Sequence, residues 1–169
     1  RTGPGEKAFA TREGEGDMDE LKGRCSLVTG GSRGLGEAIC LRLAESGLHV
    51  AVADVDEEGA KRVAERLQKL GVRSLALRMD VTDERQVAEG FAKTVDAFGR
   101  LDVLVSNAGI VIAGDITDLG LDQFRAVLDV NLIGYFLCAR EAARIMKKQR
   151  SGVIVQINSK SGKKGSFRN

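Results

Sequence analysis

The sequence predicts an α/β protein with a doubly wound parallel sheet, arranged in three α/β/α layers. Short apolar, β-branched runs alternate with segments whose apolar residues recur at helical spacing, from Cys25 onward. Strands joined by helical crossovers of this length pair in parallel, with right-handed connections. An apolar fraction of 43% and a charged fraction of 30% in 169 residues suit one globular domain with a core of its own.

The first half of the pattern contains two strands and two helices. Residues 25–28 form the first strand and precede a helical pattern that contains Leu35, Ile39 and Leu43. Residues 49–53 form the second strand. Asp56 can cap the next helix and Gly71 can close it; the predicted core face of this helix consists of Ala60, Val63, Ala64, Leu67 and Leu70.

The second half continues the alternation. Residues 74–79 and 103–106 are predicted strands, and the helix between them is capped by Thr82 or Asp83 and stops at Gly99. Its core face consists of Val87, Ala88, Phe91, Ala92, Val95 and Phe98. A single long helix, loosened at Gly134, is predicted over 121–148, with a fifth strand at 153–157; the apolar positions of this helix include Phe124, Val127, Leu128, Leu132, Phe136 and Ile145.

Residues 1–20 differ in composition from the rest. They are rich in Gly, Glu, Asp and Arg and nearly free of large apolar side chains, so they cannot bury enough surface to offset the entropy of ordering. We therefore predict a flexible N-terminal extension and a domain over 21–169. Met18 could be a native start, which would make the residues before it an upstream extension.

Composition excludes several classes of function. A net charge of +2, with cations and anions well mixed, does not predict a nucleic-acid partner, and no run approaches the ~20 apolar residues of a membrane span. His49 is the only histidine, which excludes a multi-histidine metal site and a histidine-based triad, and we predict no metal. The three cysteines lie in separate apolar runs and are predicted to be reduced core residues of a cytoplasmic protein.

The turn over residues 28–36, Val-Thr-Gly-Gly-Ser-Arg-Gly-Leu-Gly, carries the first functional signal. Its glycines fall between a strand and a helix, where Gly30, Gly34 and Gly36 let the backbone approach a pyrophosphate and the helix start offers unpaired N–H groups. Because the chain has 21 glycines, chance could also produce this pattern in any such turn.

Polar residues follow the other predicted strands as well. Asp54, Asp80, the turn 107–109, Asn158 and Ser159 each come just after a strand. Each alone is an ordinary turn residue. In a doubly wound sheet, however, ligands bind beyond the carboxyl ends of the strands, so all of these residues are expected to meet at one site.

Asp54 indicates which dinucleotide is bound. It lies about 20 residues after the glycine turn, where a carboxylate accepts hydrogen bonds from the adenosine ribose hydroxyls and repels a 2′-phosphate. Arg33 could instead attract that phosphate, but it can equally face solvent. We favour NAD over NADP on the strength of Asp54. Asp80 and Val81 could contact the adenine edge, with capping of the next helix as the alternative role of Asp80.

These residues resemble the short-chain dehydrogenase/reductase family in order and spacing. The motifs are Thr29-Gly30-x-x-x-Gly34-x-Gly36, Asp80-Val81, Asn107-Ala108-Gly109, Asn131 and Ser159-x-x-Gly162. The resemblance covers the chain from about residue 21 to its end. It implies a Rossmann-like fold, hydride transfer between a nicotinamide cofactor and a secondary alcohol or ketone, and a parent protein that forms homodimers or homotetramers.

By this resemblance Ser159 would be the catalytic serine that binds the substrate oxygen. Asn131 would be the catalytic asparagine, whose backbone carbonyl holds a water of the proton relay. Ser106 stands where the family often has another asparagine, a departure that we expect to be harmless. The predicted cofactor-binding residues are Thr29, Gly30, Ser32, Arg33, Gly34, Leu35, Gly36, Asp54, Asp80, Val81, Asn107, Ala108 and Gly109.

The family's Tyr-x-x-x-Lys pair is not found in these 169 residues. It would follow Ser159 by about a dozen residues, and the sequence stops at Asn169. Tyr135 is the only tyrosine and is followed four residues later by Ala139, so it cannot replace the pair. Two interpretations stay open: a fragment of a working enzyme, incomplete at its C-terminus, or a truncated NAD-binding module without activity.

The last residues suggest a substrate class. Lys160, Lys163, Lys164 and Arg168 cluster after Ser159, which would suit a phosphorylated substrate, although a solvated basic loop is the simpler alternative. Residues 158–163, Asn-Ser-Lys-Ser-Gly-Lys, resemble the active-site segment of the sorbitol-6-phosphate 2-dehydrogenases within the family. The resemblance thus implies a polyol phosphate such as sorbitol 6-phosphate as one candidate substrate.

Overall fold

The structure, a computed structural model, describes residues 19–159. Nearly all of the predicted flexible extension and the basic cluster from Lys160 onward lie outside the described residues. Five parallel strands form one sheet in the order β3-β2-β1-β4-β5. The strands are β1 Cys25–Thr29, β2 His49–Asp54, β3 Ser74–Arg78, β4 Val103–Ser106 and β5 Val153–Gln156. The helices are α1 Gly34–Glu45, α2 Glu57–Gln68, α3 Glu84–Phe98, α4 Leu121–Leu128 and α5 Gly134–Gln149.

The sheet is covered on both faces, which confirms the doubly wound prediction. Successive strand residues point to opposite faces, so Leu27 packs on one side and Val28 on the other. Helices α1 and α2 enclose a core built from Val28, Cys40, Ala44, Val50, Val52, Ala60, Val63, Ala64, Leu67 and Val105. Helices α3 and α5 enclose the second core, which includes Leu27, Ala51, Leu77, Val87, Phe91, Leu104, Leu137, Cys138, Ala142 and Met146.

The three cysteines are buried and free, as predicted for core residues. Cys40 lies in the core under α1 and Cys138 in the core under α5. Burial raises the pKa of both thiols to about 12, because the charged thiolate would lose its hydration there. These thiols therefore stay protonated and serve as small apolar groups.

Aspartates cap α2 and α3. Asp56 Oδ1 accepts a hydrogen bond of 3.0 Å from the Gly59 amide at the start of α2. Of the two candidate caps for α3, Asp83 is the one used: its Oδ1 accepts from the amides of Arg85 and Gln86 at 2.9 and 3.1 Å. Helix α2 ends at Gln68, so the prediction that Leu70 belongs to its core face is wrong; this side chain is 47% exposed.

The predicted single helix over 121–148 is interrupted, which corrects the sequence-based expectation. Residues Asp129–Ile133 form a π turn between α4 and α5. The turn is closed by a hydrogen bond from the Gly134 amide to the Asp129 carbonyl, five residues back. At Gly134 an added Cβ would lie 2.7 Å from Val81 Cγ2, so this position has no room for a side chain. The predicted strands, by contrast, differ from the observed ones by at most one residue, and the fourth has the predicted bounds.

At the other end of the sheet, Asp102 joins β1 to the start of β4. Its buried carboxylate accepts hydrogen bonds from the Cys25 amide at 2.9 Å and from Arg24 and Arg100. Burial pushes the pKa of Asp102 upward, but the bonds from Arg100, the Cys25 amide and Arg24 outweigh it, so this pKa lies below its usual range. The charged carboxylate therefore stabilises the folded state.

Candidate functional site

A cavity of about 750 Å³ lies at the carboxyl ends of the strands. The segments after β1, β2, β3 and β4 all reach it, as the sequence predicts for a switch-point site. Its walls are formed by Gly30, Arg33, Gly34, Leu35, Gly36, Asp54, Val55, Met79, Asp80, Val81, Thr82, Asn107, Ala108, Gly109, Ile110, Ala126, Asp129 and Val130. Eleven of the fifteen predicted site residues are among them; Thr29, Ser32, Asn131 and Ser159 are not.

Three of the four glycines in the glycine turn have no room for a side chain; at Gly31, an added Cβ would lie 2.8 Å from Val52 Cγ1. Gly30 has φ +64°, and an added Cβ there would lie 2.9 Å from the Ala108 Cα. A Cβ at Gly36 would collide with the Gly30 carbonyl oxygen. Gly34 also has a positive φ, +58°, but open space where its side chain would be. The turn is thus packed tightly against the 107–109 segment and open toward the cavity.

Asn107 and Thr29 hold the glycine turn to the end of β4. Asn107 Nδ2 donates to the carbonyls of Thr29 and Gly30, each at 3.0 Å. In return, Thr29 Oγ1 accepts from the amides of Asn107 and Ala108, each also at 3.0 Å. Thr29 is fully buried, so in this structure its side chain supports the turn from behind the cavity wall.

Asp54 fastens the turn from the β2 side. Its Oδ2 accepts from the Ser32 amide and its Oδ1 from the Asp56 amide, each at 3.0 Å. The carboxylate is half-buried and still lines the cavity. Ser32 is buried outside the cavity wall, and its hydroxyl is the one buried side-chain polar atom in residues 19–159 without a hydrogen-bond partner.

The start of α1 faces the same cavity. Arg33 precedes the helix with extended backbone, and its side chain makes no capping hydrogen bond. Leu35, in the first turn of α1, is 60% exposed and lines the cavity. The first amides of a helix lack partners within it and carry a partial positive charge. This end of the cavity can therefore accept an anionic group.

Asp80 and Val81 form the wall after β3. Asp80 Oδ1 accepts from both the backbone amide and the hydroxyl of Thr82, at 2.9 and 2.8 Å. The Asp80 amide in turn donates to Gln86 Oε1 at 3.1 Å. Val81 is buried against Gly134, so the end of β3 is packed directly against the start of α5.

Asn131 lies in the π turn and binds the segment that follows Gly109. Its Oδ1 accepts from the Ile110 amide, and its Nδ2 donates to the Ile110 carbonyl, both at 2.9 Å. Ser159 is exposed, three residues beyond the end of β5, and its amide donates to Asn158 Oδ1 at 2.8 Å. Because β5 pairs with β4, Ser159 leaves the sheet at the same edge as Asn107.

Seven lining residues were not singled out from the sequence: Val55, Met79, Thr82, Ile110, Ala126, Asp129 and Val130. Three of them, Ala126, Asp129 and Val130, recur at the i, i+3, i+4 spacing of one helix face, the turn just before Asn131. That spacing could have identified them once Asn131 was assigned to the site. Residues 19–159 contain no group of three or more His, Cys, Asp and Glu arranged to hold a metal ion.

The chain is similar to many known proteins. A family model described as short chain dehydrogenase matches residues 24–169. The sorbitol-6-phosphate 2-dehydrogenase of Escherichia coli (strain K12) is 43% identical over 147 residues, which is 85% of this chain and 57% of that protein. A 3-oxoacyl-acyl-carrier-protein reductase of Staphylococcus aureus is 40% identical over 144 residues, or 85% of this chain and 58% of that protein.

Solved structures agree with these matches. The crystal structure of NAD⁺-bound xylitol dehydrogenase superposes with a TM-score of 0.85 at 33% identity and covers 88% of this chain and 58% of that one. The chain thus spans a little more than half the length of each of these three relatives. No helix within residues 19–159 is both long enough and apolar enough to cross a membrane.

Proposed function

The chain belongs to the short-chain dehydrogenase family, and from this membership we propose that it binds NAD in preference to NADP as part of an oxidoreductase acting on a secondary alcohol or ketone. The observation that carries the proposal is the glycine turn. Three of its glycines have no room for a Cβ, while the turn faces a cavity that is also lined by Asp54. This combination suits a pyrophosphate and an adenosine ribose placed side by side.

The shape of the turn fits a dinucleotide. Gly34 leaves open space on the cavity side, so a phosphate can approach the backbone there and at the uncapped start of α1. Arg33, exposed at the same end, adds a positive charge close to that position. Thr29 and Asn107 keep the turn rigid through four hydrogen bonds, so little ordering is left for the ligand to cause.

Asp54 supports NAD over NADP. Both of its oxygens are already fixed by backbone amides, so the carboxylate cannot swing away from a ribose 2′-phosphate. Near a protein surface, two like charges 4 Å apart repel by about 4 kcal/mol. Because Asp54 is half-exposed and Arg33 lies nearby, we halve this figure to about 2 kcal/mol, which corresponds to roughly thirtyfold weaker binding of NADP.

The remaining residues would act on the substrate. Bound NAD supplies the hydride chemistry of the reaction. Ser159, by resemblance, would hydrogen-bond the substrate oxygen at the edge of the sheet where β5 ends. Asn131 would hold the π turn in place through its paired bonds to Ile110 and, by resemblance, would hold a water through its backbone carbonyl.

The substrate itself is proposed from the relatives. Similarity to a sorbitol-6-phosphate 2-dehydrogenase and the Asn158-to-Lys163 segment favour a polyol phosphate such as sorbitol 6-phosphate. The matches to a xylitol dehydrogenase and to an acyl-carrier-protein reductase favour other carbonyl and alcohol substrates. The test is turnover by a full-length parent protein: activity on xylitol or sorbitol without activity on sorbitol 6-phosphate would reject the phosphate assignment.

A second candidate function is an NAD-binding module without turnover. It is favoured by Tyr135, the only tyrosine of these 169 residues, which lies within α5 and is not followed by lysine four positions later. This candidate predicts NAD binding by the 169-residue chain with no NAD reduction in the presence of any polyol. Turnover by the chain itself would reject it.

The cellular setting is also a proposal. Three buried, free thiols suit the reducing cytoplasm.

Helices α4 and α5 expose large apolar side chains, among them Phe124 and Phe136, each about half exposed. Such a surface suits a homodimer or homotetramer of the parent protein. Sedimentation analysis of the parent tests this, and a monomer at micromolar concentration would reject it.

The cofactor assignment is tested by calorimetric titration with NAD and NADP. We expect the wild-type chain to bind NAD more tightly, by roughly thirtyfold, and Asp54→Asn to lose most of this ratio. Asp118→Asn makes the same change of charge in an exposed loop and should leave the ratio unchanged. Equal binding of NAD and NADP by the wild type, or an unchanged ratio in Asp54→Asn, would contradict the role of Asp54. No binding of either would contradict the proposed function.

A further inference from the structure

Thr82 hydrogen-bonds only one of the two oxygens of the Asp80 carboxylate. Both the amide and the hydroxyl of Thr82 donate to the same oxygen, Oδ1, at 2.9 and 2.8 Å. No hydrogen bond or ion pair within residues 19–159 reaches the other oxygen, Oδ2. Both Asp80 and Thr82 line the cavity. The carboxylate therefore has one occupied oxygen and one that can still accept a hydrogen bond from a ligand.

The backbone at Asp80 is fixed as well. Its amide donates to Gln86 Oε1 at 3.1 Å, while Gln86 Nε2 donates to Asp83 Oδ2 at 2.8 Å. Asp83 is in turn tied to the start of α3 as its cap. Asp80 is thus held through its backbone by α3 and through its side chain by Thr82, so the position of its carboxylate beside the cavity is fixed.

We propose that Thr82 is a positioning residue for base recognition: by occupying Oδ1 of Asp80, it presents Oδ2 as an acceptor that selects a purine with a 6-amino group over one with a 6-oxo group. The inference rests on the proposed function, because the purine is that of the bound dinucleotide. A 6-amino group donates to a carboxylate oxygen, whereas a 6-oxo group is an acceptor and meets like charge there.

The same geometry predicts an inversion of selectivity. In Asp80→Asn, the backbone amide of Thr82 can only donate and therefore requires an oxygen at the Oδ1 position, where the hydroxyl of Thr82 also donates to it, so the amide NH₂ takes the place of Oδ2. A donor then faces the base, and the 6-oxo purine becomes the better partner. Without the Thr82 hydroxyl, the orientation of this amide is held by one donor instead of two, and the inversion weakens.

The experiment compares binding of NAD with binding of nicotinamide hypoxanthine dinucleotide, which differs by a 6-oxo in place of the 6-amino group. We expect the wild-type chain to prefer NAD, and Thr82→Val to lower this preference about tenfold, which is the contribution of a hydrogen bond to a charged acceptor at the low end of its range. Asp80→Asn should prefer the hypoxanthine dinucleotide. Thr82 is exposed, so its substitution is compatible with folding, and circular dichroism checks this.

Thr117→Val is the matched control. Thr117 makes the same pair of bonds to Asp115 Oδ1, at 3.0 and 2.8 Å, but neither residue lines the cavity. We expect this variant to keep the wild-type preference. If Thr82→Val weakens both dinucleotides equally, or leaves the preference intact, or if Asp80→Asn still prefers NAD, the inference is wrong. If the wild type binds neither dinucleotide, the proposed function fails and the inference with it.

Discussion

Replacement of Asn107 by aspartate should destabilise the glycine turn more than its truncation to alanine. In the wild type, Nδ2 donates two hydrogen bonds of 3.0 Å to the carbonyls of Thr29 and Gly30. Asn107→Ala removes both donors. Asn107→Asp keeps the shape but places a charged oxygen where the donor was, facing two carbonyl oxygens at the same distance. The side chain is half-buried, so water compensates only in part.

The expected losses in the free energy of unfolding follow from the number of hydrogen bonds removed. Each lost hydrogen bond costs about 1 kcal/mol, so Asn107→Ala should lower the free energy of unfolding by about 2 kcal/mol. Repulsion between the carboxylate and two carbonyl dipoles should add about 1 to 2 kcal/mol in Asn107→Asp. Because the two carbonyl oxygens disfavour a charged neighbour, we expect the new carboxyl to have a pKa above its unfolded value, so its penalty is present at neutral pH and falls as the group is protonated on acidification.

The assay is urea unfolding followed by far-UV circular dichroism, at neutral pH and near pH 5. Asn169→Asp, which makes the same change of charge at the last residue of the sequence, is the control and should match the wild type. The assignment of Nδ2 as the donor to both carbonyls would be refuted if Asn107→Asp were as stable as Asn107→Ala at neutral pH. It would also be refuted if the difference in unfolding free energy between these two variants did not shrink on acidification.

Two further substitutions test the packing of the turn and of the sheet. Gly36→Ala should lower the free energy of unfolding by more than about 2 kcal/mol, because its Cβ collides with the Gly30 carbonyl, whereas Gly34→Ala should cost only about 1 kcal/mol of backbone strain; equal costs in urea unfolding would contradict this. Asp102→Asn should cost about 2 kcal/mol at neutral pH, since it weakens a buried carboxylate's bonds to half-exposed arginines. Because the pKa of Asp102 is depressed in the folded state, the difference in unfolding free energy between the wild type and Asp102→Asn should be constant above the ordinary aspartate pKa of about 4. It should shrink as the pH falls through the pKa that Asp102 has in the folded state. A difference that grows on acidification would contradict this prediction.

Local signals predicted most of the fold. The caps Asp56 and Asp83 and the stop at Gly99 work because an aspartate or glycine at a helix end acts on neighbouring backbone only. Leu70 shows the limit of periodicity. It continues the apolar spacing of α2, but the helix ends two residues earlier and no core is left for this side chain to enter.

The π turn could not be predicted, because its cause lies elsewhere in the chain. The apolar spacing continues through residues 121–148 without a break, and the extra residue is accommodated where Gly134 packs against Val81 and Asn131 binds Ile110. The candidate site likewise has positions that the sequence predicts and positions that it does not. Its rim was predictable from residues that follow strands, whereas the supporting positions of Thr29 and Ser32 depend on which side of the turn is buried.

The π turn also separates two segments of unequal resistance to local opening. No residue of α4 is buried, whereas α5 buries Gly134, Leu137, Cys138, Ala142 and Met146. Backbone amides of α4 should therefore exchange with solvent deuterium well before those of α5. Since Ala126 of α4 forms part of the cavity wall, that wall can fluctuate while the helix behind it stays folded.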